Sequence, residues 1–92
     1  EQFRTHIAFI GADGIDLNGN TFTNDLRIAN LSRRMAKNAD RVIVVSDSSK
    51  FGRQSMCKVL SSDEYDLIIT DSDVDKTIRK RLKVHKNKIE IA

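Results

Sequence analysis

The feature that most constrains this chain is a short apolar run that ends abruptly in a polar loop. Val42, Ile43, Val44 and Val45 follow one another, and residues 47–52 then carry hydroxyls, a carboxylate and an ammonium group. A short β-branched run is typical of a strand buried on both faces, as in a parallel sheet. Because ligands bind at the carboxyl ends of such strands, the loop marks a candidate site. Its hydroxyls, backbone N–H groups and lysine indicate a small, anionic, hydroxylated ligand.

Length and composition limit the chain to one small domain. It has 92 residues, of which 39% are hydrophobic and 32% charged, and this balance is typical of a globular protein. The absence of a run of 18 or more apolar residues predicts no membrane partner. The single Cys57 and the lack of a signal peptide predict a cytoplasmic protein in a reducing compartment.

The distribution of basic residues indicates the end of a helix rather than a nucleic-acid-binding surface. The net charge is +3, and much of it lies between Arg79 and Lys88, a segment that includes Lys86 but no aromatic residue. A nucleic-acid surface would combine such a cluster with aromatic residues or a recognition motif. We therefore expect these side chains to be solvated and to complement a helix dipole.

Strand and helix signals alternate along the chain. Strands are predicted at residues 6–10, 41–46, 66–70 and 88–92, the last at an edge, and a helix at 24–38. A capping box of Ser72 and Asp75 predicts a second helix. Residues 53–60 are ambiguous, with a short helix as one option. This alternation predicts an α/β fold with a mainly parallel sheet and flanking helices.

The first helix has a predicted cap and a predicted buried side. Thr23 or Asn24 is expected to cap it. Its apolar residues recur near helical spacing, and we expect this stripe to pack against the sheet. The residues of the stripe are Leu26, Ile28, Ala29, Leu31, Met35 and Ala36.

The ends of three predicted strands converge on one edge of the sheet. In a parallel sheet, the segments 11–16, 47–52 and 70–73 lie along the same edge. Asp13 could accept hydrogen bonds from sugar hydroxyls, act as a base, or only form a turn. Lys50 could neutralise a phosphate or be an ordinary surface lysine. Asp71 could serve the site or the start of the next helix, and Phe51 could pack over the sheet or stack on a ligand.

No cofactor or metal is predicted. His6 and His85 have no neighbouring ligands at metal-binding spacing. The chain also lacks the glycine patterns of nucleotide-binding loops and of nucleophile elbows.

Several motifs together resemble the effector domain of DeoR-type bacterial transcriptional repressors. They lie at residues 9–16 with Gly19 and Thr21, at 32–35, at 45–53 and at 67–71. Their order and spacing match from about residue 6 to the C-terminus. The segment 47–52, with its Asp-Ser-Ser-Lys-Phe-Gly pattern, is the most specific of them.

The resemblance implies a fold, a ligand and a set of contacts. The fold would be part of a domain like that of ribose-5-phosphate isomerase A and the CoA transferases, and the ligand a phosphorylated sugar. Asp13 would contact sugar hydroxyls and Lys50 the anionic group. The effector-binding residues implied in this way are Gly11, Asp13, Gly14, Asp47, Lys50, Phe51 and Gly52.

The resemblance also implies that parts of the family's architecture are missing from residues 1–92. Family members carry an N-terminal winged helix and an earlier half of the effector domain with a phosphate-binding loop. The chain, which begins at Glu1, is therefore expected to be the C-terminal part of that domain. Its partners would be the phosphosugar, operator DNA through the absent domain, and further copies of itself in a homo-oligomer.

Two enzymatic or signalling alternatives remain beside the sensor. A phosphosugar isomerase of the same fold would need a general base, for which Asp13 and Asp16 are candidates. Where family members carry a Glu pair, this chain has Arg27 and Ile28, which weakens a catalytic role. A phosphoacceptor receiver domain would use Asp71, but Lys50 then precedes the acceptor in the wrong order. We expect a non-enzymatic sensor.

Overall fold

A computed structural model describes residues 6–83 and 88–92 of the chain, so His85 and Lys86 lie outside the described residues. The strands in chain order are β1 (Ile7–Gly11), β2 (Gly14–Ile15), β3 (Thr21–Thr23), β4 (Arg41–Val45), β5 (Cys57–Lys58), β6 (Leu67–Thr70) and β7 (Ile89–Ile91). The helices are α1 (Leu26–Lys37) and α2 (Lys76–Arg81). No helix in this part of the chain has the length and apolar character that a bilayer crossing requires.

Four of the strands form one parallel sheet. Its order is β1-β4-β6-β7, and all three pairings are parallel. The predicted α/β fold with a mainly parallel sheet is therefore confirmed, and β7 lies at an edge as predicted. The carboxyl ends of β1, β4 and β6 meet at one edge of the sheet, which is the edge where the sequence places a ligand.

The two faces of the parallel sheet differ in burial. On one face, alternate residues of the strands lie in the core, where Val44 and Ile68 are fully buried. On the other face, Ile7 and Phe9 of β1 are 46% and 59% exposed. Val45 is also largely exposed, so the expectation of a strand buried on both faces holds for residues 42–44 and is wrong at Val45. The core residues, by burial, are Ala8, Ile10, Ile15, Ala29, Val42, Val44, Phe51, Val59, Leu60, Tyr65, Ile68, Val74 and Leu82.

A second, antiparallel sheet lies beside the parallel one. It has the order β2-β3-β5, so residues 57 and 58 are a strand and the short helix considered for residues 53–60 is wrong. Thr21 is almost fully buried, and its hydroxyl oxygen accepts a hydrogen bond from the Leu60 amide at 3.0 Å. This small sheet places the end of β3 beside the loop that follows β1.

Helix α1 is capped one residue later than predicted and buries a different side. Its N-cap is Asp25, whose carboxylate accepts from the Arg27 amide at 2.8 Å. The helix buries Ala29 and Ser32. The stripe that was expected to pack on the sheet is mostly exposed, so that expectation is wrong within this chain.

The exposed part of α1 continues the exposed face of the sheet. Ile28 and Val45 line the same cavity, and Leu31 follows Ile28 by three residues on the helix. We call this surface the open face, and define it by Ile7, Phe9, Ile28, Leu31 and Val45. All five side chains are between 44% and 59% exposed.

Helix α2 begins at Lys76 and is capped by Asp75 rather than by Ser72. The Asp75 carboxylate accepts from the amides of Thr77 and Ile78, so the predicted Ser72 capping box is wrong. A capping box does form elsewhere, between Ser61 and Glu64 in a short 3-10 turn before β6. The basic residues 79–81 lie in the last turn of α2, as the dipole favours.

Candidate functional site

The loops that follow β1, β4 and β6 are joined by side-chain hydrogen bonds. The Ser46 hydroxyl lies 3.3 Å from the Ala12 carbonyl oxygen and donates to it. The Ser48 amide donates to the Asp71 carboxylate at 2.9 Å. These contacts link all three strand ends, so the predicted convergence at one edge is confirmed.

An open cavity of about 390 Å³ lies at this edge. Its polar lining includes two carboxylates, Asp13 after β1 and Asp47 after β4. Three hydroxyl-bearing residues, Thr23 of β3, Ser32 of α1 and Ser46 directly after β4, also line it. The lining is completed by Gly11, Ala12, Ile28 and Val45. A cavity with this many hydrogen-bonding groups suits a small polar ligand.

Asp13 uses only one of its two carboxylate oxygens for contacts within the described chain. Its Oδ2 accepts from the Asn24 amide at 3.0 Å and from the Thr23 hydroxyl at 2.9 Å. These two hydrogen bonds, together with the nearby charge of Lys50, hold the pKa of Asp13 below its usual value. Oδ1 has no donor among residues 6–83 and 88–92. Asp13 is therefore an ionised acceptor with one oxygen available to a ligand.

Asp47 and Asp71 together occupy the amides of the turn after β4. Residues Ser48–Lys50 form a 3-10 turn, and its Ser49 amide donates to Asp47 at 3.0 Å. The Ser48 amide is held by Asp71 as described above. The expectation that this loop offers its backbone N–H groups to an anion is therefore wrong for Ser48 and Ser49. These hydrogen bonds also lower the pKa of both carboxyl groups.

Lys50 lies near two carboxylates without forming an ion pair among the described residues. Its charge lowers the pKa of Asp13 and of Asp47. The one salt bridge in the described part of the chain joins Arg27 and Asp25. Among the described residues, the Lys50 ammonium group therefore forms no ion pair with a carboxylate of the protein.

The remaining predicted site residues differ in whether they line the cavity or are buried away from it. Gly11 lines the cavity, whereas Gly14 is buried beneath the segment after Gly52, where an added Cβ would lie 2.8 Å from the Arg53 carbonyl oxygen. Gly52 has φ +77°, a left-handed conformation that glycine adopts without strain. Phe51 is only 5% exposed and belongs to the core. This burial agrees with the packing alternative that the sequence offered for Phe51, and its contact with a ligand stays a prediction.

Thr23 and Ser46 are cavity residues that the sequence reasoning missed. Thr23 was considered only as a helix cap, and Ser46 only as the end of a strand. A weak signal was present at both positions, since each is a hydroxyl residue next to a β-branched or aromatic run. Only the pairing of β3 with the β1 loop shows that Thr23 faces Asp13. Among the described residues, no group of three His, Cys, Asp or Glu side chains could hold a metal ion.

The parallel sheet and its polar edge cavity define a ligand-binding α/β domain. Residues 1–72 match the model of the family described as the DeoR C terminal sensor domain. The chain therefore belongs to the DeoR C-terminal sensor domain family. This confirms the resemblance drawn from the motifs around Asp13 and Lys50.

Named relatives of this chain are transcription regulators. It is 39% identical over 74 residues to a protein of Escherichia coli O157:H7 assigned as the aga operon transcriptional repressor, covering 80% of this chain and 28% of the relative. It is 30% identical to the glycerol-3-phosphate regulon repressor of Escherichia coli K12, covering 98% and 36%. It is 30% identical to the L-fucose operon activator of Haemophilus influenzae, covering 89% and 34%.

The chain spans about a third of the length of these relatives. No solved structure gives a significant match to it.

Proposed function

We propose that this chain is the part of a regulator's sensor domain that binds the hydroxyl-bearing portion of a phosphorylated sugar. The carrying observation is the edge cavity, where Asp13 presents an unused carboxylate oxygen beside Asp47 and near Lys50. The relatives support this class of ligand, because their names refer to glycerol 3-phosphate, to the aga operon and to L-fucose.

The charges at the edge favour hydroxyl groups over a phosphate. Ionised carboxylates accept hydrogen bonds from sugar hydroxyls but repel a phosphate at short range. Asp13, Asp47 and Asp71 outnumber Lys50, and the amides of Ser48 and Ser49 are already bound. The sugar ring or chain would therefore lie against Asp13, while its phosphate extends towards Lys50 and the rest of the regulator.

The open face supports a sensor domain that continues in another part of the polypeptide. Parallel sheets are normally covered on both faces, yet Phe9 and Leu31 are more than half exposed here. We infer that the other part of the domain covers this face and supplies the main phosphate contacts. A separate winged-helix domain would bind operator DNA, and ligand binding would change its affinity.

Self-association and a cytoplasmic location complete the proposal. Within the described residues, β1 pairs with β4 on one side only, and such an edge favours association with further chain. A homo-oligomer would place two DNA-binding domains on one operator. A regulator that binds DNA and sugar phosphates would act in the cytoplasm.

The alternative, an isomerase of the same fold, is less consistent with the carboxylates. Asp16 accepts hydrogen bonds from four donors, which leaves no free lone pair well placed for a substrate. The lowered pKa of Asp13 makes it a weak base near neutral pH. We propose binding without turnover.

Calorimetry on the full-length regulator tests the proposal. The panel would contain glycerol 3-phosphate, glucose 6-phosphate, fructose 1-phosphate and ribose 5-phosphate, each with its unphosphorylated counterpart. We expect one phosphorylated member to bind, and Asp13→Asn and Lys50→Gln each to weaken binding by about tenfold or more, as expected for the loss of a charge-assisted contact. Asp63→Asn and Lys37→Gln are matched controls, because both side chains are exposed at the opposite edge of the sheet.

Two results would contradict the proposal. Heats of binding absent from the whole panel would remove the sugar phosphate as the ligand. Aldose–ketose interconversion by the wild-type protein, lost in Asp13→Asn, would favour the isomerase instead. If the ligand binds, its effect on operator affinity can be followed by fluorescence anisotropy of labelled DNA.

A further inference from the structure

The hydroxyl of Thr23 makes a buried contact with the carboxylate that faces the cavity. Thr23 is only 3% exposed, and its Oγ1 donates to Asp13 Oδ2 at 2.9 Å. The contact joins residues ten positions apart, so it is made by the fold and not by a local turn.

Strand β3 holds Asp13 through its backbone as well as through its side chain. The Asp13 amide donates to the Phe22 carbonyl at 2.8 Å, and the Asn24 amide donates to Asp13 Oδ2 at 3.0 Å. Three consecutive residues of one segment therefore fix the position and the rotation of this aspartate. With Oδ2 turned towards β3, Oδ1 is the oxygen that remains for a ligand.

We propose that Thr23 is a positioning residue for effector binding, which orients the Asp13 carboxylate so that Oδ1 accepts a hydrogen bond from an effector hydroxyl. This inference rests on the proposed function for its ligand, but its geometry does not depend on which sugar binds. Thr23 itself lines the cavity.

No charged side chain of the described residues donates a hydrogen bond to Asp13. The charged groups near Asp13 are Lys50, whose charge lowers its pKa, and Asp47, which lines the same cavity. Both come from the loop after β4. The side that β3 presents to Asp13 is uncharged, and Thr23 is its only side-chain donor to Asp13 among the described residues.

Two substitutions at this position separate hydroxyl chemistry from shape. Thr23→Val keeps the β-branched shape and the strand preference but removes the donor. Thr23→Ser keeps the donor and loses only a methyl group. A role in packing alone would make Val close to the wild type and Ser the more harmful change, whereas a positioning role makes Ser close to the wild type and Val harmful.

The first measurement needs no ligand. In the full-length regulator, the pKa of the Asp13 carboxyl group is followed by carbon-13 NMR as the pH is lowered. We expect Thr23→Val to raise the pKa of Asp13 and Thr23→Ser to leave it near the wild-type value. An unchanged pKa in the Val variant, with its amide spectrum otherwise intact, would overturn the proposal.

The second measurement uses the full-length regulator and the panel member that binds the wild type. We expect Thr23→Val to weaken binding by about tenfold, as for a lost charge-assisted hydrogen bond, and Thr23→Ser to change it by no more than about twofold. The acid limit of binding should also move to higher pH in the Val variant alone. Equal losses in both variants would overturn the positioning role.

The two measurements also separate this inference from the proposed function. If no panel member binds the wild type, the proposed ligand is wrong, and the NMR result still decides whether Thr23 orients Asp13. If the wild type binds but both variants match it, the ligand stands and the positioning role is overturned.

Discussion

Asp13 and Asp16 lie three residues apart, on either side of β2, yet the fold uses them in different ways. Asp16 is 9% exposed, and its two oxygens accept from the Asn18 and Asn20 amides and from the side chains of Asn20 and Gln54. Asp13 is half-buried and leaves one oxygen without a donor in the described residues.

The difference shows how a carboxylate is committed to structure or kept for binding. Asp16 closes the turn between β2 and β3, because its oxygens accept from the Asn18 and Asn20 amides of that turn. Asp13 is held through Oδ2, which fixes the orientation of the carboxylate and leaves Oδ1 for a ligand. Saturation with protein donors, more than burial alone, separates the structural carboxylate from the one that can receive a ligand.

The comparison predicts its largest effect at Asp16. Asp16→Ala should lower the free energy of unfolding by about 3 kcal/mol, because it leaves two turn amides and the Gln54 side chain without their acceptor. Urea denaturation of this chain measures the change. Asp63→Ala, at an exposed carboxylate, is the control and should match the wild type. A similar stability for Asp16→Ala would contradict the structural assignment.

Acid should reduce stability through the same carboxylate. Burial raises the pKa of Asp16, but the hydrogen bonds from Asn20, Gln54 and Asn18 outweigh it and lower the pKa overall. A group whose pKa is lower in the folded state stabilises it above the unfolded pKa, and this contribution is lost as the pH falls through the folded pKa. Between pH 5 and about pH 2, the free energy of unfolding should therefore fall more steeply with decreasing pH for the wild type than for Asp16→Asn. Equal slopes would contradict this.

Tyr65 tests the other side of the same turn. Its hydroxyl donates to the Gly19 carbonyl at 2.8 Å, and burial with the charge of Asp16 raises its pKa to about 12. Tyr65→Phe should cost about 1 kcal/mol in the free energy of unfolding. Because the folded pKa is raised, this tyrosine's contribution is complete below the unfolded value of 10.0 and is lost as the pH rises towards about 12. The Phe variant should lack that part of the alkaline loss.

The smallest effect on stability is expected at Asp13. Asp13→Asn keeps an amide oxygen that can accept from Thr23 and Asn24, so the free energy of unfolding should change by less than about 1 kcal/mol. Its effect on ligand binding should be far larger. A stability loss as large as that of Asp16→Ala would show that Asp13 is also a structural carboxylate and would remove the contrast.

The parallel sheet was predictable because its signals are local. The run before Ser46, the apolar segment before Asp71 and the terminal edge strand each carry their own periodicity, and alternation with helices fixes the class of fold. The edge that collects the loops then follows from strand direction alone, which is why Asp13 and Asp47 were found together at one cavity.

The parts that were missed depend on contacts between distant residues. Nothing in the local sequence shows that residues 57 and 58 pair with β3, or that Thr23 reaches Asp13. The amphipathic stripe of α1 is real, but periodicity cannot say whether the surface that covers it belongs to this chain. At Phe51 the sequence allowed both core packing and a ligand contact, and the side chain is buried in the core.

The open face has a thermodynamic consequence. The heat capacity of unfolding grows with the apolar surface that becomes hydrated, at about 12–15 cal/mol/K per residue for ordinary domains. Phe9, Leu31 and their neighbours are already hydrated in this folded chain, so its heat capacity increment should fall below that range. Its stability would then vary little with temperature and reach only a shallow maximum. Covering the same residues within a larger domain would restore the curvature. The dependence of the free energy of unfolding on temperature therefore reports whether the open face is covered.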